Sequence, residues 1–97
     1  MKKDEKIQQL LWRELDRQKQ QIISSDFQKK YSIVRNGHAK DMKIIMALIS
    51  MSEKLLIMGQ QSRALHYMYF LENYIDKFIN EVNLDADDKI IKVFRNI

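Results

Sequence analysis

The chain has 97 residues, 17 Lys/Arg against 13 Asp/Glu, and a formal net charge of +4. With 45% hydrophobic residues it has material for one core and one domain, residues 1–97, and without cysteine it forms neither disulfides nor thiolate metal sites. The charge is uneven, because residues 1–43 carry eleven Lys/Arg against six Asp/Glu and residues 44–97 carry six against seven. An anionic partner would therefore meet the N-terminal half.

The opening Met1-Lys-Lys-Asp-Glu-Lys has positive charge but no apolar run behind it, which points to a cytoplasmic protein. Helical spacing then begins and never gives way to period-two alternation. A first helix is expected from about Asp4 to Ile23, its acidic start matching the helix dipole. Ile7, Leu10, Leu11, Leu15 and Ile22 make its apolar stripe, with Trp12 and Ile23 on one border and Arg13, Arg17, Lys19 and Gln20 opposite. Gln18 interrupts the stripe, which is read as half exposed there in preference to a buried polar register device.

Ser24-Ser25-Asp26-Phe27-Gln28 reads as punctuation, with Ser25 and Gln28 at capping-box spacing. A short second helix, about Asp26 to Arg35, would bury Phe27, Tyr31 and Val34 and close at Asn36-Gly37. The competing reading is one helix running through Ser24 and Ser25.

Residues 42–58 follow, and twelve of these seventeen are apolar. Their polar groups gather on one strip, Lys43, Ser50 and Lys54, so the helix is apolar around most of its circumference. That pattern predicts a central helix over about 39–58, ended by Gly59, with its methionines as core gap-fillers. The expected fold is all-α, a compact bundle of four to five helices around this central one. A fourth helix over about 62–82 has an unbroken stripe from Ala64 to Val82, yet also carries Leu65, Tyr69 and Phe70 off it. A short last helix from about Ala86 to Asn96, with Ile90, Val93, Phe94 and Ile97 giving it an apolar side, is expected to fold back and cover Phe70.

Leu55-Leu-Ile-Met-Gly59-Gln-Gln-Ser-Arg-Ala64-Leu-His-Tyr-Met68-Tyr-Phe-Leu71 resembles the helical hairpin of a single tetratricopeptide repeat. Gly59, Ala64 and Met68 match that pattern. The resemblance implies a tight antiparallel hairpin.

Candidates for chemistry are few. His38 and His66 stand in different elements, His38 in a loop and His66 on a helix surface by this reading. Asp85, Asp87 and Asp88 lack the glycine and glutamate of a calcium loop and are read as helix-start residues. No catalytic, metal or cofactor site and no small-molecule substrate is expected, which makes the protein a non-enzymatic adaptor, regulator or immunity-type protein. The partner is another protein, self or heterologous, and Trp12, Leu65, Tyr69 and Phe70 are its expected contacts. The alternative is nucleic acid, met by Arg13, Arg17, Lys19, Lys29, Lys30, Arg35, Lys40 and Lys43.

Overall fold

The computed structural model describes residues 2–96, with side chains from Glu5 to Asn96. Among the described residues there are three helices: α1 over Lys2–Ile23, α2 over Ser25–Ile57 and α3 over Gln61–Arg95. Among the described residues, no helix is long and apolar enough to cross a membrane. The molecule is elongated, 64 × 20 × 16 Å. Its radius of gyration is 16.5 Å, where a compact chain of this length would have about 12.5 Å.

This overturns the compact bundle of four to five helices. The expected second and third helices are one element, because Gly37 keeps a helical backbone and the helix runs through it. The expected fourth and fifth are also one element. Asn83, Asp85, Asp87 and Asp88 are indifferent helix formers, but neither proline nor glycine stands among them to stop the helix. Asp85 is therefore a mid-helix residue, and the last segment never folds back over Phe70.

The punctuation is displaced by one residue. Ser24 is the N-cap of α2, its Oγ accepting from the Phe27 backbone N–H at 3.3 Å. Gln28, expected to complete a box with Ser25, donates instead to the Ile22 carbonyl at 2.5 Å. Gly59 ends α2 as expected. It takes φ 75°, its N–H bonds Leu56 O at 3.0 Å, and the Gln60 N–H bonds Leu55 O at 2.8 Å, the paired closure of a Schellman motif.

Contacts give the relative directions. Gln8 lies beside Gln61 and Arg17 beside Glu72, so α1 runs with α3. Tyr74 reaches Asp41 and Asp85 reaches His38, so α2 after its first turns runs against α3. The chain must therefore reverse between Ile23 and His38, and it bends at Ser24 and again at Val34, whose φ of −118° and ψ of 16° are not helical. Phe78 holds this reversal from inside, in ring contact with Phe27 and Tyr31 before the bend and with His38 after it. Lys89 donates to the Ile33 carbonyl at 3.2 Å, the carbonyl that a straight helix would offer to Gly37. A side chain entering the ladder in this way is a recognised cause of a kink.

The core is a seam shared by the three helices. Ala64, Met68, Leu71, Ile75, Phe78, Val82 and Ala86 of α3 face Ile45, Ile49, Leu55 and Leu56 of α2 and Leu15 and Ile22 of α1. Gln18 sits in this seam only 1% exposed, donating to the Met68 carbonyl at 3.2 Å, so the stripe is not half exposed there. The segment read as central is instead one wall of the seam. Ile45, Ile49, Leu55 and Leu56 are buried, while Met46, Met51, Ile57 and Met58 are exposed. Two neighbours cannot cover a helix that is apolar on nearly every side.

Candidate functional site

Two features stand out beside the seam: an uncovered apolar surface along α3 and a polar ladder between α2 and α3. Ala86 is the last buried residue of α3, and the helix continues to Arg95 with every residue exposed. These nine residues span roughly 13 Å at 1.5 Å each; their polar side stays beside α2, where Lys89 donates to the Ile33 carbonyl and Asp88 and Lys92 line a hollow with Val34, Gly37 and His38. Its apolar positions there are Ile90, Ile91, Val93 and Phe94, with Phe94 71% exposed. Ile90, Val93 and Phe94 stand at i, i+3 and i+4, one face of the helix. Lys92 and Arg95 lie elsewhere on the circumference and suit the negative end of the helix dipole.

The expected partner contacts do not form a single patch. Leu65 and Tyr69 lie one turn apart on α3, and Tyr69 is 71% exposed. Phe70 is 56% exposed on another side of the helix, its ring 6.1 Å from that of Tyr74. Trp12 is half-buried and packs against the core.

The eight basic residues are also dispersed. Arg17 spans Glu14 and Glu72, and Lys19 lies 3.8 Å from Glu53. The Arg17 guanidinium holds the Glu14 carboxyl below its ordinary range, and in return the guanidinium is pushed further up. Lys30 lines a surface hollow with Gln21, Asp26, Phe27, Ile79 and Asn83. Arg13, Lys29, Arg35, Lys40 and Lys43 are exposed on α1 and on both sides of the α2 bend.

The polar ladder belongs to residues far apart in sequence. The Tyr74 hydroxyl donates to Asp41 Oδ1 at 2.7 Å. That bond, then burial and the nearby Asp41 and Glu81 charges, pushes the phenol up to about 12. His38, read as a loop residue, is buried within α2, with Nε2 2.6 Å from Asp85 Oδ2. Glu81 completes the group, since a ring nitrogen of His38 and carboxylate oxygens of Asp41 and Glu81 all lie within 4.8 Å of one another. No local motif announces this group, because half of it comes from each long helix. The projecting end of α3 did have a signal, the absence of any helix breaker between Val82 and Ile90.

Searches against protein-family models, curated proteins and solved structures find no match to this chain.

Proposed function

We propose that this is a non-enzymatic binding protein that docks the projecting end of α3 into an apolar groove on another protein. The observation that carries the reading is that residues 87–95 are all exposed, although Lys89 reaches back to the Ile33 carbonyl, and yet keep Ile90, Val93 and Phe94 in line. An isolated helix gains nothing from an ordered apolar line in water. A groove that covers it gains about 25 cal/mol for each Å² of apolar surface buried. Amphipathic helices enter such grooves through anchors at i, i+3 and i+4. Lys92 and Arg95 favour a groove with an acidic rim, which steers approach more than it adds affinity. Leu65 and Tyr69, further down the same helix, would extend the contact along the trunk.

Photo-crosslinking from position 91 in the source cells, followed by identification of the captured chain, tests the reading. Capture of one protein chain, lost in Phe94→Ala and Val93→Ala while the melting midpoint holds, is the expected result. Truncating a central aromatic anchor costs an interface 2 kcal/mol or more, about thirtyfold in affinity. Equal capture in the variants would overturn it. So would binding to anionic vesicles alone, or to mixed-sequence nucleic acid with a steep salt dependence.

A further inference from the structure

We propose that His38, Asp41 and Glu81 bind a first-row divalent cation of the zinc class across the α2–α3 seam, with Asp85 holding the histidine in place.

Spacing supplies the ligands. His38 and Asp41 are three residues apart on α2, and Glu81 and Asp85 are four apart on α3, so each pair shares a helix face. The antiparallel seam brings the two faces together, and one donor atom each from His38, Asp41 and Glu81 falls within 4.8 Å of the others. Tetrahedral ligands about 2.1 Å from an ion stand roughly 3.4 Å apart. Small torsions of two carboxylates that are only half-buried close that difference.

The histidine supplies the independent observation. His38 is 7% exposed and its Nδ1 is buried without a hydrogen-bond partner. A buried ring nitrogen in that condition costs free energy unless something satisfies it. Nε2 is engaged by Asp85 at 2.6 Å. A ring that donates its Nε2 proton to a carboxylate presents a lone pair at Nδ1, the form in which histidine binds metals. A carboxylate on the far nitrogen is the usual companion of a metal-bound imidazole, fixing tautomer and ring plane. Asp41 is held in a similar way, since the Tyr74 hydroxyl donates to its Oδ1 at 2.7 Å.

One imidazole with two carboxylates and no thiolate selects zinc, cobalt, iron or manganese over magnesium or calcium, which prefer all-oxygen shells. Lys77 is the competing cation. It lines a small cavity of about 70 Å³ with Asp41, Tyr74, Phe78 and Glu81. A bound ion would tie α2 to α3 one turn from the Val34 bend and just below the projecting end of α3.

The test uses the full chain, freed of metal by chelation and titrated with Zn²⁺, Co²⁺ and Mg²⁺. Calorimetry, the melting midpoint, Co²⁺ visible absorption and ¹⁵N shifts of the histidine rings are the readouts. The expected result is one Zn²⁺ per chain, a raised midpoint, and movement of the His38 ring nitrogens with His66 unmoved. His38 packs on Phe78, so His38 variants risk unfolding, and Glu81→Gln and Asp41→Asn carry the test instead. Each should weaken Zn²⁺ by at least tenfold with the helical content kept. Asp85→Asn should weaken it about ten- to hundredfold through the histidine, and the exposed Asp88→Asn should leave it unchanged. The proposal falls if Zn²⁺ does not bind, if Glu81→Gln and Asp41→Asn bind it as the parent does, if His66 responds in place of His38, or if Mg²⁺ binds equally well.

Discussion

Residues 61–86 and 87–95 of α3 are one helix with two physical regimes. The first stretch places Ala64, Met68, Leu71, Ile75, Phe78, Val82 and Ala86 in the seam against α1 and α2. The second carries an apolar line of the same spacing, Ile90, Val93 and Phe94, and leaves it in solvent. Tertiary packing stabilises the first, as it does most helices in proteins. The second has one tertiary tie in Lys89 on the Ile33 carbonyl, and local terms add to it: continuation from a helix already nucleated, an acid-before-base pair at Asp88 and Lys92, and Lys92 and Arg95 at the dipole's negative end. An amphipathic pattern thus states that a face requires cover without stating who provides it.

Truncating side chains in the two stretches should have unequal effects. Leu71→Ala, and Ile49→Ala across the seam, should each cost about 2–5 kcal/mol of unfolding free energy. Phe94→Ala and Val93→Ala should stay within about 0.5 kcal/mol of the parent. Denaturant titration reads all four. A large loss at Phe94 would mean that the end of α3 is covered after all.

A smaller effect concerns polarity inside the seam. Gln18 donates to Met68 O, but its own Oε1 is buried without a partner. Replacing it with leucine removes an unsatisfied acceptor at similar volume, so Gln18→Leu should stabilise by about 1 kcal/mol. Val93→Gln in the projecting end makes the opposite polarity change and should leave stability nearly unmoved. If Gln18→Leu destabilised or gave mixed registers, Gln18 would be a specificity device and not a tolerated cost.

The ladder gives the seam a pH signature through Tyr74. Tyr74 is pushed up to about 12 by Asp41, against about 10 in an unfolded chain. The folded state therefore favours the protonated phenol. That contribution is complete below pH 10 and is lost as pH rises from 10 toward 12. With solvent screening of a half-buried group, the loss should be about 1–2 kcal/mol. Tyr74→Phe should start about 1 kcal/mol lower and lack this component of the alkaline decline. Parallel melts of the two proteins over that range check the sign.

Backbone effects of similar size lie at the two glycines. Gly37 has a helical backbone and open space where a Cβ would stand, next to Asp88 and Lys92 at the root of the projecting end. Gly37→Ala should stabilise by about 0.5–1 kcal/mol. Gly59 has equal space but φ 75°, so Gly59→Ala should cost about 1 kcal/mol through backbone strain alone.

Much of the fold was legible one residue at a time. Helical class, the α3 stripe from Ala64 to Val82 apart from the exposed Tyr67, the burial of Phe27, Tyr31 and Val34, and the stop at Gly59 all rest on local spacing and backbone chemistry, which the chain carries in itself. Helix number was not legible, because Asn36-Gly37 and Asn83 to Asp88 are weak helix formers that nonetheless remain helical once neighbours or continuity favour it. Exposure of Met46, Met51 and Met58 was not legible either, since an apolar side chain is buried only where a second helix arrives. The candidate site depended on tertiary structure throughout. His38 finds Asp85 forty-seven positions away, and Asp41 finds Tyr74 thirty-three away. The bend at Val34 and the antiparallel course of α2 and α3 bring these pairs together, and no spacing along the chain encodes that juxtaposition.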